Sequence, residues 1–226
     1  MDHGSRAGSP CRLARARRGR RPLSSSSTAT PTSSRTSSST LTSTPARGAI
    51  LLVKYRGYRR SSGKPSETAL AQDADAFFDW LAAQPQVDRA RIATHGHSLG
   101  AAVAAGLANR RPVRALVMVS AFKSPDLFGR YLIPPILARS RFDNMAAVKR
   151  YPGPIPLVHG EGNEIIPHTH VQALARQAAG DVTLISYPGV DHDVPWDWRR
   201  FAADLTQFYR QAGVIAPVGV PPSSKD

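Results

Sequence analysis

RIATHGHSLGAAVAAGLA, Arg91 to Ala108, is the stretch on which the reading of this chain turns. A short apolar run leads into Gly96-His97-Ser98-Leu99-Gly100, and an alanine-rich run follows. Gly-x-Ser-x-Gly between a strand and a helix describes a sharp turn whose flanking backbones pass so closely that only hydrogen fits at the two glycines. Such a turn lifts the Ser98 Oγ above the sheet at a helix N-terminus. There the helix dipole and the Leu99 N–H favour negative charge. Ser98 is the candidate nucleophile and Leu99 the candidate oxyanion donor, while His97 reads as the variable position inside the turn. A plain strand-to-helix corner would use the same glycines, so the rest of the chain has to supply a base.

Around the turn, strand and helix patterns alternate. Ala49–Val53 (AILLV) is a continuous apolar run, expected to be a strand buried on both faces. Leu70, Ala74, Phe77, Phe78 and Leu81 then recur at helical spacing, with Ser66 as N-cap. Arg91–Thr94, Val113–Ala121, Ile155–Gly160 and Asp181–Gly189 read as further strands. Helical patterns run from Leu99 to Arg110, through Val171–Ala178 to Gly180, and from Trp198 to Tyr209 before Gly213. This order predicts an α/β fold, a mostly parallel sheet with helices on both faces and ligands at the carboxyl ends of the strands.

A serine at its ordinary pKa is inert and needs a neighbouring base. His159, His168, His170 and His192 all lie downstream. His192, in YPGVDHD between the last predicted strand and the last helix, is the candidate base. His168 and His170 at a helix start read as surface residues, and His159 at a strand end reads as a structural histidine.

Five segments in order, Tyr55–Glu67 (YRGYRRSSGKPSE), GHSLG, Arg141–Asn144 (RFDN), Pro156–Pro167 (PLVHGEGNEIIP) and YPGVDHD, resemble the α/β-hydrolase fold serine hydrolases. The similarity is to the small-lid subgroup of depalmitoylase-like enzymes and uncharacterised bacterial hydrolases. It covers about Gly48 to Ala212. It implies hydrolysis of a small-molecule ester, thioester or amide through an acyl-serine, with no metal or organic cofactor, an ester or thioester being the favoured substrate. Three departures matter. The family's triad acid falls on Asn163, so the orienter of His192 is Asn163 itself, the adjacent Glu164 as a substitute acid, or Asp126 in the loop after the Val113–Ala121 strand. Lys54 and Arg59 stand where the subgroup carries an Asp and a Gly. The strand that ends in an H-G oxyanion loop, which the family places between the Ala49–Val53 and Arg91–Thr94 strands, has no counterpart before Gly48; His3-Gly4 lacks an apolar run ahead of it. The fold is therefore expected to lack its N-terminal strands, as a shifted start site or reading frame upstream of Gly48 would produce.

The chain's net charge of +14 is concentrated at one end. Residues 1–47 carry nine arginines against Asp2, and 17 of the 21 residues from Ser24 to Thr44 are Ser or Thr. So polar a segment has too little to bury and is expected to be disordered, as is a tail over 213–226. The hydrolase domain is expected over 48–212, with a short apolar lid over about 123–145. No aromatic residues interleave with the arginines to stack on bases, which argues against nucleic acid as the partner. The lone Cys11 excludes an internal disulfide, and no apolar run reaches the ~18–20 residues of a membrane span, so the cytoplasm is the expected location. An Arg- and Ser-rich, acid-poor start also has the composition of an organelle transit peptide. The reading is a serine esterase or thioesterase. The competing one is a hydrolase-like remnant whose triad has eroded and which folds poorly or binds a partner; a weaker third is nucleic-acid binding through the basic N-terminus.

Overall fold

A computed structural model of the 226-residue chain describes residues 40–44, 48–58, 61–124, 142–193 and 197–216. The strands are β1 (Thr40–Thr44), β2 (Gly48–Leu52), β3 (Ala93–His97), β4 (Ala115–Val119), β5 (Ile155–Gly160) and β6 (Val182–Tyr187). The helices are α1 (Glu67–Ala82), α2 (Leu99–Ala108), α3 (Asn144–Arg150), α4 (Thr169–Gln177) and α5 (Trp198–Gln211). β3, β4, β5 and β6 pair in that order, all parallel.

β4 explains the layering, because all five of its residues are buried and successive side chains point to opposite faces. Leu116 and Met118 meet alanines of α2, Val148 of α3 and Leu174 of α4. Ala115, Val117 and Val119 meet Leu205 and Phe208 of α5 on the other face. Helices thus cover both faces of the parallel sheet, as the alternating pattern predicts. α2 is buried on almost every side. Its alanines let the backbone sit against β3 and β4 while Ala102, Val103 and Leu107 pack on Leu70, Ala74 and Phe78 of α1. The Ser66 hydroxyl caps α1 by accepting the Ala69 N–H at 3.1 Å.

Several elements differ from the sequence reading. The apolar run at Ala49–Val53 is largely exposed, Ile50 at 60% and Leu52 at 59%, not buried on both faces. Its hydrogen-bond partner is β1, antiparallel, in a two-stranded sheet separate from the parallel one. Thr40–Thr44 lies inside the segment expected to be disordered. It nevertheless pairs as a strand with Gly48–Leu52, Thr44 opposite Gly48. α3, with no apolar stripe beyond Ala147 and Val148, was not read from the sequence; the Asp143 carboxylate starts it by accepting the Ala146 N–H at 2.8 Å. Gly213 to Ile215, assigned to the tail, fold back on α5: Gly213 takes φ 71°, and the Val214 N–H donates to the Tyr209 carbonyl at 2.8 Å. Arg114 Nε donates to the Ala212 carbonyl at 2.7 Å and Arg91 Nε to that of Gly213 at 3.0 Å, closing the helix end. The apolar centre of the expected lid and Asp126 lie outside the described residues.

Leu116 is fully buried between α2, α3 and α4. Leu116→Ala should lower the unfolding free energy by about 2–5 kcal/mol in urea titration. Leu52→Ala, on the exposed strand, should change it by no more than about 0.5 kcal/mol.

Candidate active site

At the end of β3 the chain reverses into α2 through Ser98, whose backbone takes φ 54°, ψ −116°. A non-glycine residue with positive φ is uncommon and is held only where its surroundings demand it. The demand comes from Gly96, because a Cβ there would stand 2.0 Å from the Gly100 carbonyl oxygen. Strand and helix backbones touch at Gly96, as expected there, whereas Gly100 has room for a Cβ. The Ser98 N–H is donated to the Val119 carbonyl at 2.9 Å, which ties the turn to β4. The Ser98 hydroxyl makes no capping bond to the helix, and Leu99 is the first residue of α2. A Cβ on Gly100 would lie 3.4 Å from the Tyr55 hydroxyl, so the YRGY segment borders the same turn. Burial pushes the Tyr55 phenol up to about 12, so it stays a proton donor at neutral pH. Arg56 holds that segment to α1 through an ion pair with Asp73, Nε to Oδ2 at 2.6 Å.

His192 reaches the site on the loop after β6. Gly160, ending β5, admits that loop; a Cβ there would stand 2.1 Å from the Val190 carbonyl oxygen. The Gly162 N–H is donated to the same carbonyl at 3.0 Å. Both main-chain groups of His192 are bonded. Its N–H goes to Asp191 Oδ1 at 2.6 Å, and its carbonyl accepts from the Ser120 hydroxyl at 2.7 Å and from His97 Nε2 at 3.1 Å. The His97 and His192 rings stand 5.0 Å apart between centroids, so His97 is a neighbour of the candidate base and not an idle turn residue. Burial first, and then the facing His97, hold the His192 imidazole below the ordinary histidine pKa, against the opposing pull of Asp193 and Asp191.

The structure brings Asn163 to His192. Asn163 is buried, with Nδ2 3.2 Å and Oδ1 3.3 Å from His192 Nδ1. Its Oδ1 already accepts the Ile166 N–H at 2.8 Å. The amide can meet Nδ1 in either sense: Oδ1 accepts from Nδ1–H with its second lone pair, or Nδ2 donates to a bare Nδ1, and in the second case the ring proton sits on Nε2. That is the nitrogen a nucleophilic serine needs bare. A carboxylate at 163 would accept from both Ile166 and Nδ1, leaving Nε2 unprotonated. The Glu164 side chain is exposed, and its backbone N–H goes to Asp191 Oδ1 at 3.3 Å.

The remaining histidines sort differently from expectation in part. His159 is fully buried and bonded through Nε2 to the Ile166 carbonyl at 2.8 Å, a structural residue as read. His170, expected on the surface, is buried beneath the loop after β4 and takes the Lys123 N–H on Nδ1 at 3.2 Å. His168 is half-buried against Ser186 on β6, 2.9 Å away. Both point inward because α4 packs its first turn on the sheet. Ser120 was missed altogether, since a serine ending a strand carries no signal until the His192 loop folds over it. Among the described residues no group of three or more His, Cys, Asp or Glu is arranged to hold a metal, and no helix is long and apolar enough to cross a membrane.

Residues 30–144 match the model of the alpha/beta hydrolase family. An uncharacterized protein of Mycobacterium tuberculosis is 41% identical over 172 residues, 74% of this chain and 61% of that protein. The alpha/beta hydrolase domain-containing protein WAV2 of Arabidopsis thaliana is 28% identical over 169 residues, 65% of this chain and 55% of that protein. The chain thus spans roughly three fifths of the length of these relatives. Est1E of Butyrivibrio proteoclasticus, solved with ferulic acid bound, shares the fold with a TM-score of 0.63 at 18% identity, over 73% of this chain and 77% of that one. With its strained serine turn at the end of a parallel strand and its histidine loop beside it, the chain belongs to the alpha/beta hydrolase family.

Proposed function

We propose that this chain is a serine hydrolase that cleaves a carboxylic ester or thioester through an acyl-serine intermediate, with a triad weakened at Asn163. Ser98 Oγ attacks the carbonyl carbon while His192 Nε2 takes the hydroxyl proton, and the tetrahedral oxyanion lies against the Leu99 N–H. The C–O or C–S bond then breaks, and His192 returns its proton to the departing alcohol or thiol. Water, losing a proton to His192, attacks the acyl carbon; the bond to Ser98 Oγ breaks, His192 returns the proton to Oγ, and the acid leaves. The steps call on no metal or organic cofactor. The catalytic unit is assigned to residues 48–212.

The observation that carries this reading is the strained backbone of Ser98 at the start of α2, the conformation that exposes a nucleophilic hydroxyl. Asn163 on His192 Nδ1 favours a second reading, a hydrolase-like domain that has lost most of its activity. The two differ in rate. In the chymotrypsin-type triad the matching Asp-to-Asn change lowers kcat by about 10⁴-fold, chiefly through the wrong tautomer.

Fluorophosphonate labelling separates them. The chain should label slowly, Ser98→Ala should not label, and Asn163→Asp should label faster by about 10²- to 10⁴-fold. No labelling by any of the three favours the second reading.

The rate of labelling should also depend on pH in a fixed sense. His192 acts as base only when neutral, and the groups facing it are His97, Asp191, Asp193 and Asn163. Because its folded pKa is lowered, the rate should rise to half its plateau below pH ~6.5 and be flat at neutral pH. A midpoint above that value counts against a buried, neutral His192 as the base.

A further inference from the structure

Ser120 follows β4 in a left-handed conformation, φ 47°, and its side chain is completely buried. Its own N–H is donated to the Val158 carbonyl at 2.8 Å, which fixes the residue against β5. A serine gains nothing locally from positive φ, so tertiary contacts must impose it. What the conformation achieves is direction: the hydroxyl donates to the His192 carbonyl at 2.7 Å, across 72 residues of sequence. The preceding residue, Val119, accepts the Ser98 N–H at 2.9 Å. Val119, the last residue of β4, and Ser120 just after it therefore hold the main chains of both the candidate nucleophile and the candidate base. Among the described residues, the other bonds to the His192 backbone involve more exposed groups, Asp191 on its own loop and His97 on the turn.

We propose that Ser120 is a positioning residue, whose buried hydroxyl anchors the His192 carbonyl to β4 and so sets the separation of His192 from Ser98. The inference rests on the serine-hydrolase reading above. Ser120 touches neither substrate nor the reacting atoms; it acts through the loop. His97 is the second, weaker anchor on the same carbonyl, so removing the Ser120 hydroxyl loosens the loop without releasing it. A misplacement of about 1 Å in such a geometry can cost about 10²-fold in rate.

The test uses the full chain and two readouts. One is the fluorophosphonate labelling rate; the other is the titration of the His192 imidazole followed by NMR. Ser120→Ala removes the hydroxyl. Ser120→Gly removes it while accepting the left-handed backbone without strain, in case the alanine variant does not fold. Ser186→Ala, which deletes a half-buried hydroxyl bonded to His168 on the neighbouring strand, serves as control and should leave both readouts as in the parent. A folded Ser120 variant should label about 10- to 100-fold more slowly, and its His192 should titrate nearer to ~6.5 as the loop gains solvent. An unchanged labelling rate in a folded Ser120 variant overturns the proposal, whatever the titration does. Failure of both Ser120 variants to fold also overturns it, because the residue is then structural. If the parent chain itself does not label, the serine-hydrolase reading has failed separately, and the titration alone decides whether Ser120 anchors His192: a shift supports it and no shift overturns it.

Discussion

The close approach of Gly96 to Gly100 is the constraint on which the rest of the molecule depends. Because a Cβ at Gly96 would stand 2.0 Å from the Gly100 carbonyl oxygen, β3 and α2 can run into each other with only Ser98 between them. That contact forces Ser98 into positive φ, sets α2 tightly against β3 and β4, and requires the alanines that line the helix. α1 then packs on the outer side of α2, and its ion pair from Asp73 to Arg56 holds the Tyr55 segment over the same turn. One steric condition thus orders the core and the serine together.

The carboxyl edge of the sheet is built by a different kind of force. Residues at the ends of β4, β5 and β6 exchange hydrogen bonds with each other's loops: Ser120 with His192, Gly162 with Val190, Asn163 with Ile166 and His192. Apart from the exposed Gly162 these are buried or half-buried polar groups, each costly if left without a partner, so satisfying them fixes the loops relative to one another. Asn163 satisfies the same geometry that an aspartate would, but not the same electrostatics. It can fill the hydrogen bond to Nδ1 without carrying the charge that would stabilise an imidazolium. The loop can therefore keep its shape whether or not the chemistry runs at full rate.

Legibility in the sequence followed the range of the interaction responsible. The strand at Ile155–Gly160 agrees with the reading residue for residue, as do the Ser66 cap and the glycine closing α5, because each depends on a few adjacent residues. Ser98, Asn163 and His192 are candidates that the motif order names, and the fold brings Asn163 onto His192. The apolar run at Ala49–Val53 misled, since apolar content reports a capacity for burial and not the presence of a covering layer. His170 misled in the opposite direction, because a polar residue at a helix start reads as exposed until the helix is docked.

By itself the sequence determined the alternation of strand and helix, the glycine-flanked serine turn and the substitution of an amide at position 163. Periodicity, turn chemistry and residue identity are local properties. Tertiary structure alone decided that β2 pairs with β1, that His97 and Ser120 share the His192 carbonyl, and that the Asn163 amide meets Nδ1 of His192. The meetings at His192 join groups 29 to 95 residues apart, and there each donor takes the acceptor the fold presents to it.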